Sequence, residues 1–287
     1  MSQITEVEIL SKKVEEILLK NPSMYEVFHE NTKLNSLKEK MLGKNIMGVL
    51  TEKNFLEASH MPYKTYTSNK RIPLEKNFHN LIINKNFTEI LLDRRSVRKF
   101  INKPISFNQL SYLLYMSYGI NDFLPSKQTN SLQELRTVPS AGGLYPLEIY
   151  LLINNVENLE QGLYHYNVKL HCLELLKEGS QEACLPSLTS YSDIAKNASI
   201  LMFVTAIFPR LSYKYGDRSY RFAHLDAGHL GQNIYLTNTA MKLGTLAVGG
   251  FFDDEINEYL NINGVSEGVV YEFFIGHKDE ENDYRIK

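Results

Sequence analysis

Three arginines and a serine fall within five residues at Arg94-Arg95-Ser96-Val97-Arg98, followed by Lys99-Phe100. Guanidinium groups offer fixed, paired donors to phosphate oxygens and the serine hydroxyl adds another, so the cluster suits a dianionic phosphate; the competing reading is a solvated basic face. A second group runs Val138-Pro139-Ser140-Ala141-Gly142-Gly143-Leu144-Tyr145-Pro146. Two adjacent residues without a Cβ let main-chain amides lie against a flat ring system, with prolines stiffening the ends; an ordinary turn is the alternative. The third, Leu243-Gly244-Thr245-Leu246-Ala247-Val248-Gly249-Gly250-Phe251, ends in another glycine pair. A helix C-cap leading into a buried strand accounts for Gly244 but gives Gly249 and Gly250 no purpose. The fourth, Ser212-Tyr213-Lys214-Tyr215-Gly216-Asp217-Arg218-Ser219-Tyr220-Arg221-Phe222, sets a lysine beside a phenol. Lys214 and Tyr215 can work as a proton-transfer pair if burial and neighbouring cations lower their pKa values; otherwise this is an exposed basic loop with tyrosines packed on it.

Other chemistries lack their residues. His224 and His229 are five apart, which does not stack them on one helical face, and no H-E-x-x-H occurs, so no metal site is expected. There is no Gly-Lys-Ser/Thr phosphate loop, no G-x-G-x-x-G and no G-x-S-x-G nucleophile elbow.

The elements that must position these groups follow from apolar spacing. Residues 5–20 carry Val7, Leu10, Val14, Ile17 and Leu18 at helical intervals, and residues 24–84 are polar and irregular, with no elements assigned: a small lobe or a wrapping arm. Phe87, Ile90 and Leu91 lead into the arginines. Ser106 with Gln109 is a capping box opening a helix that buries Leu110, Leu113 and Leu114 and stops at Gly119. Residues 147–153 and 199–208 are strand candidates, 162–166 and 171–176 flank a hairpin turn, and 268–275 form a last strand. Residues 223–243 read as a central helix buried nearly all round. Strand clusters and helices without regular alternation predict an α+β fold with residues 1–85 as an N-terminal segment and 86–287 as the main domain.

With 287 residues, 43% hydrophobic and 22% charged, the chain can bury a substantial core in one or two domains. A formal charge of -2 gives no net attraction to nucleic acid or to an anionic membrane. The two cysteines, Cys172 and Cys184, form no metal or disulfide framework, and the N-terminus lacks the apolar run of a signal peptide, so a reducing, cytoplasmic setting is expected.

Taken in order, the four segments resemble the nitroreductase superfamily and, within it, the SagB/ThcOx-type azoline dehydrogenases of thiazole- and oxazole-modified peptides. Phe28-His29-Glu30-Asn31-Thr32-Lys33 and Tyr63-Lys64-Thr65-Tyr66 also resemble upstream segments of that subgroup. The resemblance implies an antiparallel-rich sheet flanked by helices in an intertwined homodimer, with FMN at the interface between subunits. Arg94, Arg95, Ser96 and Arg98 would hold its phosphate and ribityl chain, and Pro139, Ser140, Ala141, Gly142 and Gly143 would pass along the isoalloxazine ring. Leu246, Gly249 and Gly250 would approach from the other side, with Gln232 as a further contact and Arg285 as a looser phosphate match. Lys214 and Tyr215 match the catalytic Lys-Tyr pair, so the implied reaction removes an azoline ring proton with one of them as base and passes a hydride to FMN. The implied partners are a precursor peptide carrying azolines and a cyclodehydratase complex. Two readings compete: an NAD(P)H-dependent nitroreductase-like enzyme acting on a small molecule or dehydroamino acid, and a non-catalytic scaffold subunit.

Overall fold

The computed structural model describes residues 23–279 apart from 61, 79, 80, 82, 84, 127, 128 and 130; the helix expected over residues 5–20 and Arg285 lie outside the described residues. In chain order the elements are α1 (Met24–Thr32), α2 (Ser36–Thr51), α3 (Lys53–Ser59), β1 (Arg71–Pro73), α4 (Phe87–Asp93), β2 (Phe100–Ile101) and α5 (Phe107–Tyr118). A hairpin, β3 (Ile120–Pro125) and β4 (Leu132–Arg136), precedes β5 (Leu147–Ile153), β6 (Gly162–Asn167) and β7 (Cys172–Glu178). Then come α6 (Leu185–Leu188), α7 (Ser192–Ala195), β8 (Ile200–Ile207), α8 (Pro209–Tyr215), α9 (Ser219–Ala240), β9 (Gly244–Val248), α10 (Asp253–Tyr259) and β10 (Glu267–Lys278).

Continuous aliphatic runs make the middle of the sheet, because a strand covered on both faces needs apolar side chains at every position. β5 is buried throughout, and β8 at all but its last residue. The sheet runs β1-β7-β6-β5-β8-β10-β2, with β9 also on β10, and every strand pair in it is antiparallel. Residues 267–275 of β10 pair with β8 while 272–276 pair with β9, so β10 joins two strands that do not meet. Alternation along β10 sends Phe273 to one core, shared with Leu110, Leu114, Leu230 and Ile234 of α5 and α9, and Phe274 to the other, with Leu185 and Ile256 of α6 and α10. The α+β expectation holds.

The capping box forms, with Ser106 Oγ accepting from the Gln109 amide at 3.2 Å and Gln109 Oε1 from the Ser106 amide at 3.1 Å, and Gly119 caps the helix end. Three expectations change. Residues 24–84 hold three helices and β1; α2 buries no side chain fully, and its stripe of Leu42, Ile46, Val49 and Leu50 is only half covered. α9 is open along one edge, where Leu225 is 57% exposed and Gly228, His229 and Gln232 are also exposed. Gly244 is not a helix cap, since the left-handed turn falls on Lys242 (φ 61°); it opens β9, where a Cβ would press on Val97 at 3.0 Å and Phe100 at 3.1 Å. Among the described residues no helix is long and apolar enough to cross a membrane, and no group of three or more His, Cys, Asp or Glu side chains is arranged to hold a metal.

Candidate active site

At the N-terminal end of α9 the second and fourth segments come together. α8 starts on Pro209, whose missing N–H costs nothing in a first turn, and stops at Gly216 with φ 55°, which leaves Lys214 in the last turn. Under it lies Gly142, with φ 63°; a Cβ there would run into the Tyr215 hydroxyl and come within 2.8 Å of Lys214 Nζ. Only glycine combines that backbone angle with that approach. Asp226 of α9 fastens the loop. Its Oδ2 accepts from Ser140 Oγ at 2.6 Å and its Oδ1 from the Ala141 amide at 3.3 Å, while Ser140 Oγ accepts from the Tyr145 amide at 2.9 Å.

The electrostatics separate the lysine from the phenol. Lys214 is half-buried, its ammonium is 5.3 Å from the Tyr215 ring centroid, and it has no carboxylate or hydrogen-bond acceptor among the described residues. Burial alone lowers its pKa from the usual lysine value, favouring the neutral amine. Tyr215, packed edge-on against Phe222, is shifted the other way, first by burial and then by Asp226, so its phenol keeps its proton. One arm of a buried network anchors α8: Arg210 donates to Glu148 Oε1 at 2.6 Å and to the Tyr145 carbonyl at 3.2 Å. Glu148 in turn meets fully buried His165, which also touches Glu174; the two carboxylates outweigh burial and raise the imidazole's pKa.

At the other end of α9 the first and third segments meet around Tyr235. Its hydroxyl accepts from the Ala247 amide at 2.9 Å and bonds Ser96 Oγ at 2.9 Å, while the Arg94 guanidinium lies 5.2 Å from its ring centroid. The Val97 amide donates to Thr245 at 2.9 Å, holding the arginine segment on the start of β9. Arg95 turns onto the carbonyls of Leu92 and Arg94. Neither Arg94, Arg95 nor Arg98 meets a carboxylate among the described residues; Arg94 is half-buried, and Arg95 and Arg98 are exposed. At the far end of β9, Gly249 and Gly250 are exposed, and a Cβ on either would meet nothing, so packing within this chain does not require them to be glycine.

Leu246 turns its side chain into the second core, and Gln232 lies on the open edge of α9. Sequence reasoning missed Asp226 and Tyr235, the two residues that tie the segments together. Asp226 had a signal: a carboxylate on the helix face of Ala223, Ala227 and Leu230 is a buried charge in need of partners.

A model described as the nitroreductase family matches residues 91–277. The chain is 36% identical over 176 residues to MJ1384 of Methanocaldococcus jannaschii, which carries the name of a nitroreductase, covering 61% of this chain and 83% of that protein. It is 24% identical over 238 residues to the microcin B17-processing protein McbC of Escherichia coli, covering 80% and 84%. Among solved structures, a protein of Anabaena variabilis named as a nitroreductase superposes with a TM-score of 0.67 at 27% identity over 89% of this chain; the chain spans about half its length, 46%. A chain of the E. coli microcin synthetase McbBCD complex with truncated pro-MccB17 bound has a TM-score of 0.54 at 21% identity, covering 87% of this chain and all of that one, 100%.

Proposed function

Because the chain belongs to the nitroreductase family, we propose that it is an FMN-dependent dehydrogenase that oxidises azoline rings of a ribosomally made peptide to azoles, with Lys214 as the base. The observation that carries this reading is a half-buried, unpaired lysine whose amine is pushed toward neutrality, set against Gly142 beside a phenol that keeps its proton. A neutral amine can take the proton from the ring carbon, and Tyr215 can donate a hydrogen bond to a ring heteroatom. FMN, when bound, supplies the hydride acceptor.

The residues present fit that cofactor. Arg94, Arg98 and Ser96 would hold the phosphate, with Arg95 beside them, and the open backbone at Gly249 and Gly250 would lie against the ring. The two ends of the site belong to different copies. Asp226 and Tyr235 are nine residues apart, two and a half helical turns, so their clusters lie on opposite sides of α9 and roughly 13 Å apart along its axis. A homodimer closing over the open edge of α9 would bring the Pro139–Gly143 loop of one protomer to the arginine cluster of its partner. Exposed Leu225 on that edge, with Phe87 and Leu92 of α4, supports such a contact. Residues 1–85 act as an arm in this reading: Lys64 reaches Glu267 at 2.6 Å and Tyr150 at 2.7 Å, and β1 extends the sheet on β7. The likeness to McbC, a microcin-processing protein, supports a precursor peptide carrying azolines as substrate; in this reading the chain works with a cyclodehydratase complex in the cytoplasm.

Purified protein should be yellow and release FMN, and it should convert a thiazoline- or oxazoline-containing peptide to the azole, with Lys214→Ala abolishing conversion but not colour. A colourless protein that takes up no FMN would sink the cofactor assignment. The 36% identity to MJ1384 favours a second reading, a reductase using NAD(P)H on a small molecule. Rapid bleaching of the flavin by NAD(P)H without azoline turnover would select it, whereas full azoline oxidation by Lys214→Ala would overturn Lys214 as the base.

A further inference from the structure

Resting on the azoline reading, we infer that the N-terminal helices add a side-chain pocket to the site, which receives an uncharged, apolar residue standing beside the ring in the substrate peptide. A cavity of about 310 Å³ opens between α3 and the start of α8, within the range of sites that enclose a small ligand. Phe55 and Ala58 of α3 form one wall, and Leu144, Ile207 and Tyr213 form another. The Phe55 and Tyr213 rings stack at 5.7 Å with 24° between their planes, so the two walls meet through an aromatic pair.

Charge decides the class of occupant. Among the described lining residues Arg210 alone is charged, and its guanidinium is engaged by Glu148 at 2.6 Å and the Tyr145 carbonyl at 3.2 Å. A basic side chain entering here would lose its hydration beside a like charge, and an acidic one would gain only a share of a guanidinium already paired with Glu148. Position decides that the occupant belongs to the peptide. Tyr213 directly precedes Lys214, and Leu144 follows the Gly142-Gly143 pair that lies against it. An extended chain advances roughly 3.5 Å per residue, so a side chain one or two positions from a ring at Lys214 passes the mouth of the cavity. The α3 wall precedes residue 91, where the family pattern begins, and α2 packs against α8 behind it.

The test is calorimetric titration of the full-length, FMN-loaded protein with azoline peptides identical except for Phe, Gly or Asp beside the ring. The Phe peptide should bind about tenfold more tightly than the Gly peptide, and the Asp peptide more weakly than either. Ala58→Trp, which fills the cavity, should bring the Phe-to-Gly ratio within about twofold, as should Phe55→Ala, which serves also if the tryptophan variant fails to fold. Equal affinity for the Phe and Gly peptides in the unsubstituted protein overturns the pocket, as does a ratio that survives both substitutions. Turnover of the same peptides is read separately: tighter Phe binding without oxidation sustains the pocket and overturns the azoline reading.

Discussion

The two ends of α9 are finished to different degrees. Around Asp226 most polar groups are satisfied within the chain: Ser140, Ala141 and Tyr145 are bonded and Arg210 is paired, while the Lys214 ammonium and the Tyr215 hydroxyl have no hydrogen-bond partner among the described residues. Around Tyr235 the protein orients its groups but leaves them open, with arginines lacking carboxylates and a glycine pair facing empty space. An end that holds an unsatisfied amine and phenol in a rigid frame suits chemistry on a passing substrate, because the frame need not reorganise when the substrate arrives. An end with many open donors suits a resident anion that completes it.

The comparison breaks first at Lys214. A guanidinium cannot give up its proton, so Lys214→Arg should lower single-turnover oxidation by about 10³-fold while FMN binding is kept. In the unsubstituted protein turnover should climb with pH, since the amine must lose its proton before it can accept another, and the climb should lie below the pH at which a free lysine titrates. Flat pH dependence would place the base elsewhere. At the open end the expected loss is of affinity instead. Arg94→Ala with Arg98→Ala should weaken FMN about 100-fold, more at low salt than at high, with turnover at saturating FMN little changed; a turnover loss at full occupancy would erase the division between the ends.

A third test concerns the strand beneath the open end. Glu272 of β10, opposite Val248, is fully buried away from any cation, and burial pushes its carboxyl up to about 8, only partly offset by the Thr189 hydroxyl. Its folded-state pKa stands above the unfolded one, so its contribution to stability is greatest below the unfolded value and is lost as pH rises through about 8. Glu272→Gln does not titrate. Its Tm should exceed that of the unsubstituted protein by roughly 5 °C or more at pH 9 and by much less at pH 5 in scanning calorimetry. The smallest effect is expected of Tyr235→Phe, which removes the bonds to Ser96 and Ala247 and should weaken FMN severalfold without altering the pH profile.

The sheet was legible from sequence where it is buried on both faces, since aliphatic runs such as 147–153 and 200–207 have no other stable use. The capping box at Ser106 was legible because its signal is local. The N-terminal helices were not assigned, although α2 carries Leu42, Ile46, Val49 and Leu50 at helical spacing and is capped by the Asn35 side chain accepting from the Lys38 amide; the exposed Leu37, Met41 and Met47 around that stripe and the glycines within it blur the period. The four site segments could be found by composition, yet their pairing could not. It depends on Asp226 and Tyr235, which sit nine residues apart in a helix whose apolar spread suggested burial all round. The open edge with Leu225 and Gln232 was hidden for the same reason, because spacing cannot tell whether a neighbour belongs to the same chain.

The position of β10 sets the order in which this molecule can be assembled. β8 and β9 both precede it in the chain and never touch each other, so until β10 inserts, each presents a bare edge of unpaired amides and carbonyls. That interval is when a nascent or refolding molecule is most able to add a foreign strand and aggregate, and chaperone dependence should be concentrated there.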